Sequence, residues 1–86
     1  MNDHHVPLII IACASSSALV ERVASQLRLE GNVVYITHGV DGCLRVATSV
    51  QADVVLLDPQ LPHRGRLEKL LKAHPSSAGA QILHLS

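Results

Sequence analysis

Residues 52–62 read Ala-Asp-Val-Val-Leu-Leu-Asp-Pro-Gln-Leu-Pro and give the clearest indication of the fold. Four consecutive apolar residues stand between Asp53 and Asp58, and two prolines follow. A continuous apolar run of this length is typical of a strand covered on both faces, as strands of parallel sheets are. We therefore predict a buried strand over residues 53–58, with Asp58 at its carboxyl end.

Three more apolar runs flank this stretch and predict strands over residues 8–12, 33–36 and 81–85. Helical patterns separate the strands, because apolar residues recur there at intervals of three and four. The order β-α-β-α-β-α-β predicts an α/β fold with a parallel sheet. Ligands of such sheets bind at the carboxyl ends of the strands. This directs attention to residues 13–17, His38, residues 58–62 and Ser86.

Local signals set the expected helix boundaries. Gly31 is placed to end the first helix in a left-handed conformation. Asp41 is expected to cap the second helix, whose apolar stripe includes Cys43. In the third helix Glu68 and Lys72 have the spacing of an ion pair one turn apart.

Length and composition exclude several classes of protein. The chain has 86 residues, enough for one domain, which we expect at 7–86 behind a flexible N-terminus at 1–6. The 48% apolar content and 16% charged content argue against disorder. Seven basic and seven acidic residues, with one aromatic side chain, argue against nucleic-acid binding.

Membrane insertion and secretion are not expected either. The longest apolar run, residues 8–14, is far shorter than the ~20 residues that span a bilayer. Residues 1–5 contain no Lys or Arg, which a secretory leader needs. Two cysteines do not make a disulfide scaffold. We therefore predict a cytoplasmic protein with reduced thiols and no membrane contact.

Residues 52–62 resemble the phospho-acceptor strand of bacterial response-regulator receiver domains. In that family an aspartate ends the third strand and a proline lies four residues later, as do Asp58 and Pro62. The resemblance implies a flavodoxin-like three-layer sandwich with strand order 2-1-3-4. It also implies a two-component (phosphorelay) signalling role, with Asp58 as candidate phospho-acceptor and Ser86 at the position of the family's switch residue.

The chain also departs from the receiver pattern. Receivers carry two adjacent acidic residues after the first strand, which bind Mg²⁺ together with the acceptor aspartate, whereas residues 13–15 here read Cys-Ala-Ser. Asp58 alone would be a weak Mg²⁺ site, because Mg²⁺ prefers several hard oxygen ligands. The last strand and helix of a receiver, with the family's lysine, are missing. The prediction is a degenerate, shortened receiver that has no cofactor unless it is phosphorylated.

A second resemblance gives an alternative. Residues 11–13 before a serine-rich turn, together with residues 52–57 and 59–60, look like the IIB domains of sugar phosphotransferase systems. That resemblance implies that Cys13 is the phospho-acceptor. Residues 15–17, all serine, would then hold the phosphate at a helix N-terminus, where free N–H groups point outward. The competing interpretation is that Cys13 is a small buried apolar residue.

The remaining polar residues give weaker signals. His38 and His63 could lie near Cys13 and Asp58, but no ligand spacing supports a zinc site and we expect no metal. Basic residues gather around the third helix and predict a solvated face: Arg64, Arg66, Lys69 and Lys72.

The shortened topology predicts a binding surface. Without the last strand and helix, strand 81–85 becomes an open edge, and the helix-one side of strands three and four loses its cover. Open edges invite pairing, and large apolar patches are rare on monomers. We therefore expect a protein partner or a homodimer at this strand and the uncovered sheet face. The role is then protein–protein contact, with no enzymatic activity expected.

Overall fold

The computed structural model describes residues 6–15 and 17–85, which form four strands and three helices. The elements in chain order are β1 (Ile9–Ala14), α1 (Ser17–Leu29), β2 (Val33–His38), α2 (Gly39–Ala47), β3 (Val54–Leu57), α3 (Arg64–Ala73) and β4 (Gln81–His84). All strand pairs are parallel and the sheet order is β2-β1-β3-β4. The predicted α/β class, strand order and flavodoxin-like architecture are confirmed. The predicted N-terminal segment 1–6 lies, apart from Val6, outside the described residues.

β1 is the centre of the sheet and pairs with both β2 and β3. Its residues from Ile10 to Ala14 are all buried, because helices cover both faces of the sheet at this strand. Successive side chains of a strand point to opposite faces. Ile11 and Cys13 therefore pack in one core cluster with residues of α2 and α3, while Ile10 and Ala12 pack in the other with residues of α1.

The ends of α1 and α2 illustrate one correct and one wrong boundary. Gly31 follows α1 with φ of 95°, the left-handed conformation predicted for it. The predicted cap at Asp41 is wrong: α2 begins at Gly39, and Asp41 lies in its first turn. His38 occupies the N-cap position with an extended backbone, so β2 leads directly into α2 through Gly39, whose φ is 77°.

α3 packs on the sheet through Leu67 and Leu71, which are fully buried. The predicted ion pair between Glu68 and Lys72 is not formed. Glu68 instead contacts His84 of β4, with 3.0 Å between Oε2 and Nε2. The reason is that α3 lies alongside β4, so that a neighbouring strand offers Glu68 a closer partner than the next helical turn does.

The opposite face of the sheet is covered unevenly. α1 lies over β1 and β2, and the Arg28 guanidinium donates to the Val34 carbonyl oxygen of β2 at 2.7 Å. On the same face Leu83 of β4 is 42% exposed and lies next to Leu56 of β3, which is only partly buried. The uncovered face predicted beside β3 and β4 is therefore present.

α1, with 13 residues, is the longest of the described helices. None of the helices in residues 6–15 and 17–85 has both the length and the apolar content needed to cross a membrane.

Candidate functional site

The carboxyl end of β3 carries Asp58, the predicted phospho-acceptor. Its backbone N–H donates to the Cys13 carbonyl oxygen at 2.9 Å, so that the β1–β3 ladder extends to this residue. The Asp58 side chain is at the sheet edge where ligands bind in parallel folds, yet the residue is only 5% exposed. The predicted residue is therefore in the expected place but is largely covered.

The Asp58 carboxylate accepts hydrogen bonds from both neighbouring loops. Oδ2 accepts from the Ser15 backbone N–H at 3.3 Å and from the Ser15 hydroxyl at 3.1 Å. Oδ1 accepts from the Gln60 backbone N–H at 2.9 Å. These contacts hold the turn after β1 and the turn after β3 together. The carboxylate thus has a structural role at the edge of the sheet.

The donor set around Asp58 does not fit a Mg²⁺ site. At the end of β1, where receivers carry two adjacent acidic residues, this chain has Ala14 and Ser15. Ala14 is fully buried. One carboxylate and a hydroxyl that already donates to it give too few oxygen ligands for Mg²⁺. Within residues 6–15 and 17–85, no three His, Cys, Asp or Glu side chains are grouped so as to hold a metal ion. His38 and His63 are both exposed.

Cys13, the alternative nucleophile, lies in the core. It is 0% exposed, and its thiol donates to the Gly39 carbonyl oxygen at 3.3 Å. Gly39 begins α2, and Cys43, one turn further along the same helix, is also fully buried. The prediction that Cys43 is a core residue is confirmed. Both cysteines are free thiols.

The two thiols differ in acidity. The side-chain hydrogen bond with Cys43 lowers the pKa of Cys13 to about 7, against the raising effect of burial. The same hydrogen bond, followed by burial, raises the pKa of Cys43. Cys13 is thus the more acidic thiol, yet a phosphodonor has no access to its sulfur in this conformation. The phosphotransferase interpretation stays a prediction that the burial of Cys13 does not favour.

The serines predicted to hold a phosphate are placed differently from one another. Ser15 directs its hydroxyl to Asp58. Ser16 lies outside the described residues, and so does Ser86, the predicted switch position. α1 begins at Ser17. The hydrogen bonds that Ser15 donates to Asp58 were not predicted from the sequence. Strand order 2-1-3 is the signal for it, because it makes the ends of β1 and β3 neighbours.

A cleft of about 370 Å³ lies between α2 and α3, beside the loop that follows Asp58. Its walls include Leu44, Pro62, His63, Arg66 and Leu70. His63 is the N-cap of α3 and has a left-handed backbone, with φ of 61°. No sequence pattern pointed to this cleft, which forms only when two helices pack side by side.

The basic residues of α3 do not form one common surface. The Arg64 guanidinium donates to the Pro59 carbonyl oxygen at 2.5 Å, and Arg66 lines the cleft toward α2. Lys69 and Lys72 are exposed. Arg66 is exposed as well. The predicted solvated face therefore applies to Arg66, Lys69 and Lys72, while Arg64 helps to hold the loop after β3.

Comparison with solved structures supports the fold. The chain is similar to the high-resolution structure of the chemotaxis response regulator CheY4 of Vibrio cholerae, with a TM-score of 0.83 and 20% sequence identity. The match covers 92% of this chain and 68% of that one. No protein-family model matches the chain. No curated protein matches it by sequence.

Proposed function

We propose that this chain is a receiver-like signalling module of the two-component type that acts by protein–protein contact, without regulated phosphorylation of Asp58. The likeness of its fold to a chemotaxis response regulator supports the receiver part of the proposal. In this proposal the module is cytoplasmic, needs no cofactor and is not an enzyme. It passes on a signal through the surface that it offers to another protein.

One observation supports the proposal that Asp58 is not phosphorylated. The Asp58 carboxylate accepts hydrogen bonds from Ser15 and from the Gln60 N–H, and the residue is 5% exposed. Phosphoryl transfer to a carboxylate depends on a metal ion that neutralises the developing charge. Ser15 supplies a hydroxyl at the end of β1, where a metal site would need a second carboxylate.

Incubation with a small phosphodonor and Mg²⁺, followed by intact-mass measurement, tests this proposal. We expect no phosphoryl group on the chain under conditions that modify an ordinary receiver assayed in parallel. An increase by one phosphoryl group that is lost in Asp58→Asn would overturn the proposal and make the chain a true phospho-acceptor. An increase that is lost in Cys13→Ser would support the phosphotransferase alternative instead.

The contact surface in this proposal is β4 with the uncovered sheet face next to it. Among the strands of residues 6–15 and 17–85, β4 has a neighbour on one side only. Leu83 is 42% exposed there, and burying it in a complex is favourable because apolar area leaves water. A partner protein and a second copy of the chain would both bury this side chain. Sedimentation equilibrium over a wide concentration range distinguishes them, because only self-association depends on the concentration of the chain alone.

A further inference from the structure

We propose that Cys13 and Cys43 are a buried thiol pair that hydrogen peroxide converts into an intramolecular disulfide, which ties α2 to the central strand of the sheet. This inference goes beyond the proposed function and does not depend on it. The two residues are the only cysteines of the chain, and both are free thiols with 0% exposure. Three observations carry the inference: the place of the two thiols, the hydrogen bond between them, and the small number of buried side chains that α2 contributes.

Both cysteines lie beside the same carbonyl group. The Cys13 thiol on β1 donates to the Gly39 carbonyl oxygen at 3.3 Å. Gly39 begins α2, and Cys43 stands four residues further along this helix, where an α-helix directs the backbone N–H to that same oxygen. The two residues belong to one core cluster, and their thiols share a side-chain hydrogen bond. Each sulfur is therefore within reach of the other.

The hydrogen bond between the thiols gives them different roles. It lowers the pKa of Cys13 to about 7, against the raising effect of burial, and it raises the pKa of Cys43. Thr37, which pairs with Cys13 across the β1–β2 ladder, also bonds to the Cys13 thiol and lowers its pKa. Because the thiolate and not the thiol is the nucleophile, Cys13 reacts first and Cys43 completes the disulfide.

The reaction proceeds in two steps. The Cys13 thiolate attacks one oxygen of hydrogen peroxide, so that an S–O bond forms, the O–O bond breaks, and the hydroxide that leaves takes up the proton lost by Cys13. The product is a sulfenic acid, which a neighbouring thiol converts into a disulfide. The Cys43 sulfur attacks the Cys13 sulfur, the S–O bond breaks, and this second hydroxide takes the Cys43 proton. Two thiols are oxidised to one disulfide, and the peroxide is reduced to two water molecules.

The short helix α2 gives the oxidant its route. α2 has nine residues, of which Cys43 and Ala47 are buried, and local opening occurs where few buried contacts must break. Hydrogen peroxide is uncharged and close to water in size, so a small displacement of α2 admits it, whereas a bulkier thiol reagent stays excluded. The disulfide then closes this route, because it joins α2 to β1, whose residues Ile10 to Ala14 are all buried.

Treatment of the native, reduced 86-residue chain with hydrogen peroxide tests the inference. Catalase stops the reaction, the remaining thiols are alkylated in urea, and tryptic peptides are analysed by mass spectrometry without reductant. We expect peptides 1–22 and 29–45, which contain Cys13 and Cys43, to be joined and to separate on reduction. Neither thiol should be alkylated, and the intact chain should stay a monomer on a non-reducing gel.

The pH dependence of the reaction shows whether the folded pair reacts. In the native chain the rate should increase as the pH rises through about 7, because Cys13 loses its proton there. In urea the hydrogen bond between the thiols is lost, and the rate should increase only toward the ordinary cysteine pKa of about 8.5. A native profile equal to the profile in urea would mean that only the unfolded chain is oxidised, which would overturn the inference.

Variants and amide exchange sharpen the test. Cys43→Ser keeps a hydroxyl beside Cys13 but removes the second sulfur, so that Cys13 should stop at the sulfenic acid, which dimedone traps. Cys13→Ser should give neither a dimedone adduct nor joined peptides, and far-UV circular dichroism checks that both variants fold. In the parent chain the disulfide should slow amide exchange in residues 39–47 several-fold and leave residues 81–85 unchanged.

Three results of the peroxide treatment would also contradict the inference. Both thiols could stay reduced in excess peroxide, Cys13 could pass to the sulfinic acid without joined peptides, or the joined peptides could come from cross-linked dimers. None of these results affects the proposed function, which the phosphodonor experiment decides by itself. Phosphorylation of Asp58, in turn, would leave the disulfide result standing.

Discussion

Replacement of Asp58 by alanine tests whether its carboxylate stabilises the fold or serves in phosphoryl transfer. A carboxylate held for phosphoryl transfer beside other acids is repelled by them, and its removal relieves that repulsion. Here the Asp58 side chain accepts hydrogen bonds from the Ser15 N–H, the Ser15 hydroxyl and the Gln60 N–H, at 3.3, 3.1 and 2.9 Å. We therefore expect Asp58→Ala to destabilise the fold.

The magnitude follows from these contacts. An intramolecular hydrogen bond contributes roughly 0.5–1.5 kcal/mol net. The residues that donate, Ser15 and Gln60, are exposed and can regain water in the variant. We therefore take the lower part of the range and expect a loss of about 2 kcal/mol in the free energy of unfolding. For a domain of this size that loss lowers Tm by roughly 8–16 °C.

Urea unfolding followed by far-UV circular dichroism measures this change, with the slope of the transition checked for two-state behaviour. Asp41→Ala is the matched control: Asp41 is an exposed aspartate in the first turn of α2 and should cost less than about 1 kcal/mol. If Asp58→Ala were as stable as the parent chain or more stable, the structural role given to this carboxylate would be wrong.

Three further predictions concern the fold. Gly31→Ala should destabilise the chain by about 1 kcal/mol, because Gly31 has φ of 95°. Gly65→Ala, at an open position in α3, should stabilise the chain slightly. Thermal melts of the two variants test this difference. Leu57→Ala should cost about 2–5 kcal/mol in urea unfolding, since Leu57 is fully buried. Cys13 and Cys43, both fully buried, should resist a thiol reagent in the native chain and react at once in urea; rapid native labelling of Cys13 alone would contradict its placement in the core.

Much of the fold could be predicted from local patterns. The strand over Val54–Leu57 was predicted correctly, because a strand covered on both faces needs apolar residues at every position. The end of α1 could be predicted from Gly31, because few other residues adopt the left-handed backbone conformation. The start of α2 was predicted wrongly, since the turn at Gly39 leads β2 into the helix two residues before the expected cap at Asp41.

Less of the candidate site than of the fold could be predicted from the sequence. The position of Asp58 could be predicted, since strand ends meet at one edge of a parallel sheet. Its hydrogen bonds with Ser15 could not, because they depend on which strands are neighbours. The pairing of Glu68 with His84 was missed for the same reason: sequence spacing reports contacts along a helix but not contacts from a helix to the next strand. The burial of Cys13, one of two interpretations left open, follows from the helices that cover both faces of the sheet at β1.

The strand order has a consequence for how the chain is assembled. Each strand after β1 joins an edge that already exists: β2 on one side, β3 on the other, and β4 outside β3. In the part of the chain that the structure describes, no strand has to insert between two others, and β4 is held by one ladder only. Local opening begins where the fewest contacts must break, so β4 is expected to exchange its amide hydrogens faster than β1. A protein bound at β4, as the proposed function has it, would slow this exchange even when the shape of the domain does not change.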